Sequence, residues 1–288
     1  MIRMSMLTDI VSKSWLIGMI VCLLIASPRQ LRAADADLKL QSGRVTGCVE
    51  AEGIDQYRGV ASLWDAKDGR VPDPRKYIII PAAVVGLGAE GCFNLLAPAG
   101  QYYVGAIVRN SPGQLMGPPR NDDLVFMTPR LDGSAVKVEI VPGEAVDLGL
   151  QAGGWPYAGQ GDDMTMGIVG RTVDAKGQPV PGLLVFAFAD PEVSGSPLVV
   201  SERTAENGWF RLRIDRPGKV YLRVKENYGS GAPGAGSYMG VYGGVVPVAI
   251  DIRPGSVVED VLVEVKQIPE TMTGARKPGK SGQYPLSR

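Results

Sequence analysis

The sequence predicts an all-β fold of two antiparallel β-sandwiches in tandem. Three observations predict it. Apolar residues recur with a period of two in short runs, and Gly, Pro and Asn-Gly signals separate the runs. No long segment carries a 3.6-residue period. A well-patterned stretch over residues 165–267 is echoed, in diverged form, over residues 42–150.

In the second half, Ile168, Gly170 and Thr172 alternate with Val169, Arg171 and Val173 as a half-buried strand. Asp174-Ala175-Lys176-Gly177 turns the chain, and Pro179 and Pro181 open a strand over 183–189, where a missing amide proton is tolerated. Asn207-Gly208 is the strongest short hairpin signal. Phe210, Leu212 and Ile214 then face opposite to Arg211, Arg213 and Asp215. After Pro217-Gly218, Val220, Leu222 and Val224 alternate with Tyr221, Arg223 and Lys225. A final pair is expected over 246–252 and 257–265, joined at Pro254-Gly255.

Gly170-Arg-Thr-Val-Asp-Ala-Lys-Gly177, Pro179-Val-Pro-Gly182, Thr204, Asn207-Gly-Trp-Phe210 and Pro217-Gly-Lys-Val-Tyr221 carry a resemblance. They resemble the carboxypeptidase regulatory-like family, which implies a seven-stranded, prealbumin-like and Ig-like sandwich. The resemblance covers about residues 165–265 and implies little about function, because one fold hosts many functions.

The first half repeats the landmarks in order. Residues 43–50 parallel 167–174, residues 90–95 parallel 207–212, residues 98–104 parallel 216–222, and residues 138–147 parallel 250–259. It lacks the Pro-x-Pro-Gly entry and carries an insert over 72–89. Glycines make 151–164 a linker, in which Trp155 and Tyr157 either pack between the sandwiches or meet a ligand. Residues 268–288 are expected to be a disordered tail.

Residues 1–36 read as a signal peptide. Arg3 and Lys13 precede an apolar run over 15–26, which is shorter than the roughly 20 residues of a spanning helix. Cleavage is expected at Ala33 or at Ala34-Asp-Ala36, which leaves no membrane span; the other reading is an uncleaved anchor. Cys22 has no lipobox around it. The mature chain then keeps Cys48 and Cys92, expected as one disulfide in an oxidising compartment, with two separate buried thiols as the other reading.

Composition narrows function. Thirty basic residues balance thirty acidic ones, so no nucleic acid is expected as partner. There is no histidine, which removes His-dependent triads and the commonest metal ligand. No Gly-x-Ser-x-Gly elbow or P-loop is present, so no enzyme, cofactor or metal site is expected. Lys–Asn isopeptide chemistry of adhesin stalks is not supported either, because the first strand of the second half has no lysine. Asp122-Asp123 and Asp162-Asp163 read as solubilising acids rather than calcium ligands.

Two long loops occupy equivalent places, over 110–132 and 227–244. Their candidate binding residues are Met116, Arg120, Phe126, Tyr228, Tyr238, Met239 and Tyr242, with Trp155 and Tyr157 from the linker. The loops are either one composite recognition face or decoration. The function expected is a non-catalytic binding or scaffolding module, periplasmic, secreted or on the cell surface, with an envelope or extracellular protein as partner. The alternative is a carbohydrate or small-ligand binder.

Overall fold

The computed structural model describes residues 41–127, 136–228 and 234–269. The expected signal peptide, and all but residues 268 and 269 of the expected tail, lie outside them. The described residues form strands and turns and no helix.

The first half contributes β1 (Ser42–Val49), β2 (Gly59–Asp65), β3 (Ala83–Gly86), β4 (Cys92–Pro98), β5 (Gly100–Val108), β6 (Leu124–Met127), β7 (Lys137–Ile140), β8 (Ala145–Gln151) and β9 (Trp155–Pro156). The second contributes β10 (Gly167–Val173), β11 (Leu184–Phe188), β12 (Val199–Val200), β13 (Trp209–Arg213), β14 (Gly218–Lys225), β15 (Tyr238–Val241), β16 (Ile250–Ile252) and β17 (Val257–Gln267).

Each half is a β-sandwich. In the first, the sheet β4-β1-β8 faces the sheet β3-β2-β5-β6-β9, with β7 also on β5. Val45, Leu63, Phe93, Leu95, Val104, Val108 and Ile140 interdigitate between them. The second half repeats every pairing: β10 with β13 and β17, β11 with β12 and β14, and β14 with β15 and β16. Its core is filled by Ile168, Phe210, Leu212, Leu222, Val224 and Val263. The alternation expected on β13 and β14 holds: Phe210, Leu212, Val220, Leu222 and Val224 are buried.

The pairing is antiparallel except for one parallel contact in each half, β1 with β8 and β10 with β17. Two expected hairpins are corrected by it. Asn207-Gly208 makes a tight turn, in which the Trp209 amide donates to the Asn207 side chain, but β13 then pairs with β10 rather than with its neighbour in sequence. Gly208 sits at φ +76°, and a Cβ there would lie 2.5 Å from the Thr172 carbonyl oxygen. Pro254-Gly255 likewise carries the chain across the core, from β16 on β14 to β17 on β10.

Superimposing the pairings aligns Gly47, against the Phe93 ring, with Gly170, against the Phe210 ring. This register differs by one residue from the one read in the sequence, because the glycine that admits the core phenylalanine fixes it. Cys48 and Cys92, joined by a disulfide, then occupy the places of Arg171 and Trp209. In the second half that pair meets as a cation–π contact at 5.0 Å. One cross-strand position thus carries a covalent tie in one half and a noncovalent one in the other.

The glycine-rich linker begins as strand. Trp155 and Pro156 pair with β6 as Lys266 and Gln267 pair with β15, so residues 155–156 continue the last strand of the first sandwich. The reason is packing. Phe126 is buried against Gly154, where a Cβ would lie 2.4 Å from its ring. In the second half Gly240 faces Val265, so large and small residues have exchanged sides.

The insert joins the halves. Ile78 and Ile80 pack on Leu184, Phe186 and Phe188, the outer face of the second sandwich. The Val200 amide donates to the Ile78 carbonyl at 3.0 Å, while the Trp64 indole of the first half donates to the Ile79 carbonyl at 3.0 Å. An extended segment sends alternate groups to opposite sides, so one short run serves both sandwiches. Arg70 adds a largely buried ion pair with Asp215 at 2.7 Å.

Candidate functional site

The site begins with Arg109, which follows β5 and is 5% exposed. Its Nε donates to Leu115, its Nη1 to Pro118 and Asp123, and its Nη2 to Leu115 and Gly117. Those five hydrogen bonds match the five donors of a guanidinium. Burial pushes its pKa down, opposed by the hydrogen bond and charge of Asp123. The segment 110–123 is therefore wound around one side chain and is neither decoration nor open loop. Arg120 completes the winding, with Nη1 on the Pro112 carbonyl at 3.1 Å and Nη2 on the Ser111 carbonyl at 3.2 Å.

The opposite wall comes from the second sandwich. Thr172 and Thr204 both donate to the Val180 carbonyl, at 2.6 and 3.1 Å, and fix the proline-rich strand entry. Arg203 donates to the Gly182 and Glu226 carbonyls and reaches across to Gln114 at 2.8 Å. Gln114 in turn donates to Asn227 at 2.9 Å. Burial lowers the Arg203 pKa, with Glu226 opposing.

Between these walls lies a cleft of about 990 Å³. Met116, Pro118, Pro119 and Arg120 line one side, and Pro179, Pro181, Glu202, Arg203, Glu226 and Tyr238 the other. Beside it, under Met116 and Tyr228, is a small apolar cavity of about 40 Å³, shared with Trp64, Ile78 and Ile79.

The structure brings Met116, Arg120 and Tyr238 to this cleft, whereas Tyr228 lines the small apolar cavity beside it. The other candidates fall elsewhere. Phe126 is 5% exposed, inside the first core, so it offers no surface. Tyr157 is 1% exposed, between the sandwiches; its hydroxyl donates to Glu202 at 2.7 Å and lies 3.3 Å from the Pro74 carbonyl. Burial, with Glu202 beside it, raises its pKa; burial also raises that of Tyr228, opposed by Arg109. Trp155 lies under the Arg75 guanidinium at 4.7 Å. Met239 is on β15, and Tyr242 packs against the second core. The two long loops are corrected accordingly, because each contains a strand, β6 and β15.

Three of the four acids in Asp122-Asp123 and Asp162-Asp163 serve arginines. Asp123 is buried with Arg109, while Asp162 and Asp163 pair with Arg211 and Arg213 of β13. The Arg213 partner holds the Asp163 carboxyl below its ordinary value. Among the described residues, no group of three or more Asp, Glu, Cys or His side chains is placed to hold a metal. Sequence reasoning missed Arg109, Glu202 and Arg203. A lone arginine after an apolar strand carries no local signal; only the loop folded over it gives it a role.

No protein-family model matches the chain, and no curated protein is similar to it. Solved structures give distant matches. The Bacillus anthracis TIE protein is 17% identical with a TM-score of 0.24, the match covering 79% of this chain and 34% of that one. A streptococcal ancillary pilin is 15% identical with a TM-score of 0.23, over 78% and 63%. The shaft pilin SpaA of Lactobacillus rhamnosus GG is 12% identical with a TM-score of 0.22, over 79% and 98%. The chain thus spans less than two thirds of the first two.

Proposed function

We propose that the chain is an exported, non-catalytic binding or scaffolding module of a bacterial envelope or extracellular assembly. It captures its protein partner in the cleft between two tandem carboxypeptidase regulatory-like sandwiches. In this reading residues 1–36 are removed on export, residues 42–150 and 165–267 are the sandwiches, and 151–164 joins them.

The observation that carries the proposal is the construction of the cleft. Both sandwiches contribute a wall, and Arg203 and Gln114 lock the walls together across the gap. A recess held open by the fold, with half-exposed aromatic and apolar side chains, suits recognition, since preorganised surfaces lose little entropy on binding. The disulfide supports an oxidising compartment. No helix among the described residues is long and apolar enough to cross a membrane.

The test is a pull-down from envelope fractions with the full exported chain and its Met116→Asp and Tyr238→Ala variants. Loss of one specific protein with both variants is expected. Unchanged capture would move the interface to a sheet face. Retention on glycan-coated beads, abolished by the same variants, would favour the carbohydrate-binding alternative.

A further inference from the structure

We infer that the cleft takes an extended, lysine- or arginine-bearing segment of a partner polypeptide. This rests on the cleft being the partner surface, and it names the chemistry that fills it.

The guanidiniums of the walls donate mainly within the walls themselves, while the carboxylates keep acceptors. Arg109 spends every donor on the loop it organises, and Asp123 balances its charge. Arg120 is turned back on the Ser111 and Pro112 carbonyls, and Arg203 on those of Gly182 and Glu226. The carboxylates are less engaged. Glu202 accepts the Tyr157 hydroxyl through Oε1. Glu226 takes the Tyr238 amide at 3.4 Å, near the limit of a hydrogen bond. Asp174 caps its own turn through Oδ1. An ionised carboxylate accepts through about four lone-pair sites, so these three retain capacity toward the cleft. Arg109 and Arg120 both pair with Asp123, and Arg203 donates to Gln114 and to two backbone carbonyls, so Glu202, Glu226 and Asp174 face guanidiniums already engaged within the walls. The complementary ligand brings N–H donors and positive charge.

Shape selects a polypeptide among such ligands. Pro118 and Pro119 stand on one side, and Pro179, Pro181 and the half-exposed Tyr238 on the other. A proline-bearing segment in the polyproline-II conformation suits such a groove, because its own ordering costs little and its rings pack on an aromatic side chain such as Tyr238. At about 990 Å³ the recess is too large for one residue and takes a short run of them.

The probe is a labelled peptide of Lys-Pro-Gly repeats, followed by fluorescence anisotropy on the full exported chain. Its twin carries norleucine in place of lysine. Saturable binding that weakens as salt rises is expected, because the attraction is screened. The twin should bind at least roughly tenfold more weakly, and so should the lysine peptide to the Glu202→Gln, Glu226→Gln double variant. Glu259→Gln, on the exposed face of β17, should leave binding unchanged. Glutamine at 202 still offers Tyr157 an oxygen, and a thermal melt checks that the fold survives. Equal binding of both peptides, or failure of the lysine peptide, overturns the inference. If the peptide fails while Tyr238→Ala still abolishes partner capture, the ligand class is wrong and the cleft remains the partner surface. If capture also survives Tyr238→Ala, both readings fall.

Discussion

Arg109 shows how much one side chain decides here. A buried guanidinium loses its hydration and is tolerated only when every donor is satisfied. The carbonyls of residues 115, 117 and 118 satisfy it, and in doing so they shape one wall of the cleft. Arg109→Met leaves the buried Asp123 with only the more distant Arg120 guanidinium, at 3.6 Å, and should lower stability by up to about 3 to 5 kcal/mol in urea unfolding. Arg109→Lys should recover part of that loss, since three donors cannot replace a planar fork of five. At the opposite extreme of exposure, the Asp163 carboxyl stands in solvent and pairs with the largely buried Arg213. Its folded pKa lies below the ordinary value, so the pairing contributes at neutral pH and is lost as pH falls through the acid range. Carbon-13 NMR should show it titrating below other exposed aspartates, and Arg213→Ala should return it to them.

Among the elements, β15 and the disulfide are the two whose removal says most. β15 lies between β14 and β17 and lends Tyr238 to both the second core and the cleft. Deleting residues 229–243 therefore should lower the melting temperature sharply as well as abolish binding. Point variants at Tyr238 are the cleaner probe of function. The Cys48–Cys92 bridge closes a separation of 44 residues, for which chain entropy gives about 4 kcal/mol. Replacing both by serine should lower stability by up to that amount, read by denaturant unfolding under non-reducing conditions. A smaller loss would mean that the β1–β4 ladder already constrains these residues.

For the whole molecule, the insert decides whether two sandwiches behave as one body. Ile78 is 6% exposed, and its neighbours belong to the second sandwich. Ile78→Asp puts a charge into that contact and should split a single calorimetric transition into two, since each half keeps its own core. A variant that still melts in one step would show that Arg70–Asp215 and Tyr157–Glu202 hold the halves without it.

The sequence by itself determined the all-β class and the strand faces, and it left the Cys48–Cys92 bridge as one of two readings, which the structure decided. Class and faces are written in local alternation, which near neighbours alone set. Phe210, Leu212, Val220 and Leu222 could be assigned to the core because period-two patterning depends only on near neighbours. Which strand pairs with which was not local. Asn207-Gly208 and Pro254-Gly255 make turns wherever they stand, and only the packing of two sheets sends the following strand to a distant partner. The site was less legible still. Tyr238 and Met116 carry an exposed-aromatic and methionine signal, whereas Phe126 and Tyr157 carry the same signal and are buried. What separated them was tertiary: a Gly154 flat enough to admit one ring, and a Glu202 from the other sandwich placed to accept the other's hydroxyl.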